Sequence, residues 1–102
     1  MAFERVWADF RQRLRPGTRI RTWSINGYTG GEFRVDGADG AAIFVLPQKG
    51  KPRSTSKADF DRMYALWPTY KSGAISRAEL GTKSQNTTYI LSLFHWREAP
   101  ES

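Results

Sequence analysis

The middle of the chain decides its fold. Residues 18–55 read TRIRTWSINGYTGGEFRVDGADGAAIFVLPQKGKPRST, a segment in which short β-branched or apolar runs alternate with clusters of Gly, Pro, Asn and Asp. The runs 18–24, 32–35, 41–46 and 53–55 predict strands, and the clusters between them predict turns. Because the connections are short, strands that follow one another should pair antiparallel. The sequence therefore predicts an antiparallel sheet of three to four strands.

Three details of this sheet can be predicted as well. Residues 26–31 are rich in Gly and predict a long hairpin loop with Tyr28 at its tip. The segment 36–40, Asp-Gly-Ala-Asp-Gly, predicts a tight turn with two glycines suited to positive φ. The run 41–46 is apolar without alternation, which is typical of a strand buried on both faces.

A helix precedes the sheet. Phe3, Trp7, Phe10 and Leu14 recur at the spacing of one helical face, Val6 widens that face, and Pro16-Gly17 ends the helix. Arg11, Arg13 and Arg15 are then left in water near the helix C-terminus, where the dipole favours cations. The apolar stripe on this face predicts that the helix packs against the core.

Helices also follow the sheet. Ser56, with Asp59 three residues later, begins a helix whose buried face is Phe60, Met63, Tyr64 and Trp67 and which Pro68 kinks or ends. Ser76 and Glu79 form a capping box for a short helix ending near Leu80 or Gly81. The last helix is capped by Ser84 or Asn86 and runs to about Trp96, leaving 97–102 as a frayed tail. The predicted fold is a single α+β domain, 1–102: an N-terminal helix, the antiparallel sheet, and C-terminal helices packed on it.

Composition narrows the class of protein. The 102 residues suit one domain, and 39% hydrophobic residues with four Trp, four Tyr and six Phe can form a real core. The chain has no cysteine, so disulfides and thiolate metal sites are excluded, and a reducing, cytoplasmic location is expected. We find neither a signal-peptide pattern nor an apolar run near the ~20 residues of a membrane span, so no membrane partner is expected.

The charge distribution is uneven. Lys and Arg number 16 against 10 Asp and Glu, a net charge of +6. Residues 1–35 contain seven Arg and only three acids, and Lys49, Lys51 and Arg53 form a second basic cluster. Arg can grip phosphate with two parallel hydrogen bonds and can stack on bases. This bias favours a nucleic-acid partner, the alternative being a charge that only aids solubility.

Catalytic residues are sparse. His95 is the one histidine and stands between Phe94 and Trp96 on an apolar helix, without a positioned partner in the sequence. No carboxylates occur at metal-ligand spacing, so neither a metal nor a cofactor is predicted. A metal-free ribonuclease would need an acid, a base and phosphate-binding Arg, which Glu32, His95 and Arg34 could nominally supply. This is the weaker alternative, and we expect no enzyme.

Residues 75–96 read ISRAELGTKSQNTTYILSLFHW. A capped short helix, a turn at Gly81 and a second helix with a polar first turn resemble the helix-turn-helix of DNA-binding domains. The resemblance implies that Lys83 contacts phosphate and that Gln85, Asn86 and Thr87 face base edges. It also implies that a homodimer is plausible.

The leading hypothesis is therefore a non-catalytic nucleic-acid-binding module that favours double-stranded DNA. Phosphate contacts are assigned to Arg19, Arg21, Arg34, Lys49, Lys51 and Arg53. The alternative is an accessory domain that binds a protein or small molecule in an aromatic pocket, formed if Trp23, Tyr28 and Trp67 line one concavity. Trp23 shares a strand face with Arg19 and Arg21, where it would either stack on a base or be buried.

Overall fold

The computed structural model describes residues 2–25, 27–48, 50–82 and 86–98. In these residues one antiparallel sheet, in the strand order β1-β2-β3-β4, is combined with helices on either side of it in sequence. The predicted α+β class is confirmed, including the N-terminal helix and the fourth strand. The elements are α1 (Ala2–Arg13), β1 (Thr18–Ser24), β2 (Gly27–Ala38), β3 (Ala42–Pro47), β4 (Arg53–Ser56), α2 (Lys57–Lys71), α3 (Arg77–Gly81) and α4 (Thr87–Glu98).

The sheet has one buried face and one open face. The inner face is buried under side chains from α1, α2 and α4, and it consists of Ile20, Phe33, Val35, Ile43, Val45 and Thr55. The residues that alternate with these along the strands, such as Arg34, Phe44 and Ser54, are exposed. Alternation of this kind is expected when one side of an antiparallel sheet carries the core. We call the exposed side the outer face.

The helix predictions are largely confirmed. The predicted stripe of α1 is buried, and Ser56 and Ser76 cap α2 and α3 by accepting 3.1 Å hydrogen bonds from the backbone N–H groups of Asp59 and Glu79. Pro68, however, neither ends nor interrupts α2, which continues to Lys71. Trp67 and Tyr70 on either side of it are buried, so core packing holds the last turn in place despite the missing donor.

The prediction of a long loop over 26–31 is wrong. β2 begins at Gly27, with Ser24 opposite Gly27 and Trp23 opposite Tyr28. Between the pairs Arg21–Glu32 and Trp23–Tyr28, β1 advances two residues while β2 advances four, so β2 bulges. Gly30 within the bulge has φ 96°, a conformation that costs glycine little. The glycines therefore belong to an irregular strand, not to a loop. Asn26 lies outside the described residues.

Two further strand predictions are corrected. β2 continues to Ala38, and neither Gly37 nor Gly40 takes a positive φ. The turn is made instead by Asp39, whose Oδ1 accepts hydrogen bonds from the N–H groups of Ala41 (2.8 Å) and Ala42 (2.9 Å). These bonds to the charged form lower the pKa of Asp39. β3 is not buried on both faces either, because Phe44 remains 40% exposed on the open side of the sheet.

The predicted tail begins too early, since α4 extends to Glu98. Arg97 Nη2 lies 2.9 Å from Asp9 Oδ2, and Glu98 Oε2 accepts a 2.7 Å hydrogen bond from Trp67 Nε1. These contacts attach the last turn of α4 to α1 and α2. Residues 99–102 lie outside the described part of the chain.

Candidate nucleic-acid interface

Three of the arginines predicted to bind phosphate lie together on the outer face. The β1–β2 register sets Arg19 opposite Arg34 and Arg21 opposite Glu32. All three arginines are exposed. Glu32 Oε2 is 3.8 Å from Arg19 Nε, and the Arg19 side chain remains 75% exposed. An ion pair this long and this solvated leaves most of the guanidinium free for another anion.

The surface around these arginines is a shallow, continuous depression. Its first part has a volume of about 640 Å³ and is bordered by Arg19, Arg34 and Leu46. A second part of about 400 Å³ is bordered by Arg53, Thr88 and Tyr89. Both parts share Glu32, Pro47 and Gln48. The depression therefore leads from the arginines of β1 and β2 to the first turn of α4.

The second basic cluster reaches the same depression. Lys51 is exposed in the β3–β4 connection, and Arg53 begins β4. Arg53 Nη1 donates to Asn86 Oδ1 at 3.4 Å, and the guanidinium lies 6.0 Å from the centroid of the Tyr89 ring. The structure thus brings Arg53 and Asn86 together. Lys49 and Lys83, which are predicted to contact phosphate, lie outside the described residues. The same is true of Gln85, which is predicted to face base edges.

The helix pair departs from a helix-turn-helix reader. α3 has only five residues, and residues 90–94 of α4 are buried without interruption, so α4 is a core helix. Thr87 is 2% exposed, and its Oγ1 donates to the carbonyl of Leu80 at 3.3 Å. The predicted role of Thr87 in contacting base edges therefore conflicts with its burial. The apolar residues within 89–96 agree with the burial of this helix.

Trp23, Tyr28 and Trp67 do not line the exposed concavity that would favour an accessory binding domain. Trp67 is 2% exposed, and Trp23 packs in a stacked geometry on His95, with ring centroids 4.3 Å apart and an interplanar angle of 9°. Of the three rings proposed to line a pocket, Tyr28 alone is exposed, at 49%. The aromatic residues mostly fill the core, which removes the main argument for an aromatic binding pocket.

The side chain of His95 packs against aromatic rings. Besides Trp23, it meets Tyr28 edge-on at 5.5 Å, whereas Glu32 faces Arg19 on the outer face. The described contacts do not join Glu32, Arg34 and His95 into one catalytic group. Nor do the described residues contain three or more His, Asp or Glu positioned to hold a metal ion.

The environment of His95 predicts a pH dependence of stability. Burial lowers its pKa, and the charge of Glu98 opposes this effect. Since the pKa is depressed in the folded state, the unfolded state binds the proton more readily. The stability linked to neutral His95 is fully present above pH ~6.5, the pKa of histidine in the unfolded state. It is lost as the pH falls below that value. The difference in urea midpoint between pH 8 and pH 5.5 should be smaller in His95→Gln than in the wild type. Equal differences would contradict the assignment, because both proteins share the same carboxylates.

Two features of the outer face were missed in the sequence. The Arg21 guanidinium lies 4.0 Å from the centroid of the Tyr28 ring, a cation–π pair next to the β2 bulge. Phe44 is exposed between buried Ile43 and Val45. Because every residue of the run 41–46 is apolar, the sequence does not show that its side chains alternate between a buried and an open face.

No family model matches the chain, and neither curated proteins nor solved structures show significant similarity to it. In the described residues, even the longest helix falls short of the length and apolarity needed to cross a membrane.

Proposed function

We propose that the protein is a non-catalytic nucleic-acid-binding module and that the outer face is its binding surface. The observation that carries the proposal is the pairing of Arg19 with Arg34 directly across two strands. Like charges in directly opposed positions destabilise a sheet. A phosphate placed between the two guanidinium groups would turn this repulsion into attraction, since Arg binds phosphate with charge-assisted hydrogen bonds.

The distribution of acids supports the same surface. In the helix layer, four bases have a carboxylate within 3.0 Å, in the pairs Lys57–Glu4, Arg62–Asp59, Lys71–Glu98 and Arg97–Asp9. On the outer face, Glu32 approaches Arg19 only to 3.8 Å. Arg19 therefore keeps most of its charge uncompensated on the open side of the sheet, where a polyanion has access.

The roles follow from position. Arg19, Arg21 and Arg34 would contact phosphates on the outer face. Arg53 is paired with buried Val45 and contacts Asn86, so it lies at the helix-side edge of the sheet, where it would extend the phosphate contacts around that edge. The preference for double-stranded DNA depends on a final helix that faces base edges. Because Thr87 of this helix is buried, the proposal is based on the sheet. In keeping with the absence of cysteine, we place the protein in the cytoplasm.

Fluorescence anisotropy of labelled oligonucleotides tests this function, with Glu32→Gln as the informative variant. The wild type should bind with an affinity that falls log-linearly with salt concentration. Glu32→Gln removes the carboxylate beside Arg19 and should tighten binding about two- to fivefold, the effect of one nearby exposed charge.

Glu4→Gln is the matched control, because it makes the same charge change on α1 in the helix layer. It should leave affinity nearly unchanged. Equal tightening in both variants would show that only the net charge matters, and absence of binding at low salt would refute the proposed function.

A further inference from the structure

We propose that the outer face binds single-stranded nucleic acid, with the ring of Phe44 as the platform on which a base stacks. This inference rests on the proposed function and specifies the form of its ligand. It assigns a role to the large apolar side chain that the sheet leaves in water.

The surroundings of Phe44 leave its ring accessible. It is 40% exposed, and its cross-strand partners are Gly37 on β2 and Ser54 on β4. Neither neighbour has a side chain large enough to cover an aromatic ring. Within the described part of the chain, no aromatic or cationic side chain packs on it. Ile43 and Val45 supply the core contacts of β3, so Phe44 is not required for burial.

Phosphate-binding groups lie beside this ring at the spacing of one strand. Leu46 is the next residue of β3 on the same face, about 7 Å along the strand, and it is paired with Arg34, which is paired with Arg19. An apolar ring followed by a pair of arginines matches the needs of a single strand, whose bases stack on aromatic rings while its phosphates follow a basic groove.

The opposite end of β2 also has an aromatic ring beside an arginine, but this ring is already in contact with other side chains, including His95. Tyr28 is 49% exposed and carries the Arg21 guanidinium over its ring. From Tyr28 to Gly37, the partner of Phe44, β2 advances nine residues, which spans at most about 30 Å. The molecule itself extends 34 × 33 × 29 Å. A single strand laid along β2 from Phe44 toward this end would pass the Arg34–Arg19 pair, and its length is within the site sizes of about 4–16 nucleotides known for single-strand binders.

The geometry disfavours a duplex. Sequence in duplex DNA is usually read by a helix or a two-stranded ribbon that enters the major groove. On this face the hairpin end of β1–β2 is attached to the helix layer, because Trp23 N donates to Ser92 Oγ at 2.9 Å and Ile25 N donates to Tyr70 Oη at 3.0 Å. Bases in a duplex are also stacked on each other, so they offer no face to Phe44.

The test compares a labelled 12-nucleotide single strand with its 12-base-pair duplex by anisotropy across salt. The wild type should bind the single strand at least tenfold more tightly at 0.15 M salt. Phe44→Ala should weaken single-strand binding about fivefold to a hundredfold, the usual effect of removing one stacking ring. Its salt dependence should stay unchanged, because no phosphate contact is removed. Phe44→Tyr, which keeps the ring, should bind as the wild type does.

The outcomes separate the two proposals. If the wild type binds both ligands equally and Phe44→Ala changes neither affinity, the single-strand inference is overturned while the basic face stands. If the wild type binds neither ligand, both proposals fail. Urea unfolding of each variant shows whether it is folded, and the Phe44→Tyr result separates loss of the ring from a general disturbance of β3.

Discussion

Phe94→Ala is expected to lower the free energy of unfolding by about 3–5 kcal/mol, the usual cost of emptying a buried aromatic site. Phe94 is 1% exposed and joins three helices, because its ring lies 5.4 Å from that of Trp67, 5.8 Å from that of Phe60 and 6.2 Å from that of Phe10. Rigid aromatic neighbours from different elements cannot close the resulting cavity without moving those elements. Since small domains have a total stability of about 5–15 kcal/mol, the variant should be close to unfolding.

Urea denaturation followed by far-UV circular dichroism measures this loss, with Phe44→Ala as the control. Both variants delete the same ring, but Phe44 lies on the outer face, so its removal should cost about 1 kcal/mol or less. Equal losses in the two variants would contradict the division of the sheet into a buried and an open face.

The double variant Arg19→Ala/Arg34→Ala should lose at least tenfold in affinity for nucleic acid. The slope of log affinity against log salt should become shallower by about 1.4–1.8, since each phosphate neutralised contributes roughly 0.7 on single strands and 0.9 on duplexes. Its stability should not fall, because the substitution also removes two like charges in opposed positions. A loss of affinity without a loss of stability would show that Arg19 and Arg34 serve binding and are not needed for folding.

Arg5→Ala/Arg11→Ala is the matched control for that experiment. Both residues are exposed on α1, and removing two positive charges takes the net charge from +6 to +4 in each double variant. The control should keep most of its affinity and its salt slope. If both double variants lose affinity equally, binding depends on overall charge and the outer face has no special role.

The positions of the elements were predictable because they follow local chemistry. Ser56 and Ser76 cap their helices by bonds within four residues, and the stripe of α1 is a simple spacing. The β2 bulge was not predictable, since the same glycines permit a loop and an irregular strand. That Pro68 does not end α2 was not predictable from its local preference, because the burial of Trp67 and Tyr70 stabilises the last turn.

The candidate site was predictable only in part. The alternation around Ile20 indicated a basic strand face, but the pairing of Arg19 with Arg34 depends on a register that no single strand specifies. Which side of the sheet stays open depends on where distant helices pack, and Phe44 could be assigned only after that. The role predicted for Thr87 conflicts with its burial, because the sequence shows a polar first turn but not the hydrogen bond from Thr87 Oγ1 to the Leu80 carbonyl.

The position of α4 has a consequence for biosynthesis. This helix packs along β1, from which it is separated by 69 residues at the Trp23–Ser92 hydrogen bond, and Arg97 donates to Asp9 across a separation of 88 residues. While the chain is still being translated, the sheet can pair but its inner face lacks the cover that residues 90–94 provide. The nascent chain should therefore acquire protease resistance only after α4 has left the ribosome. Chaperones that shield apolar strands would act before that moment, and ribosomal pausing within α4 would prolong their engagement.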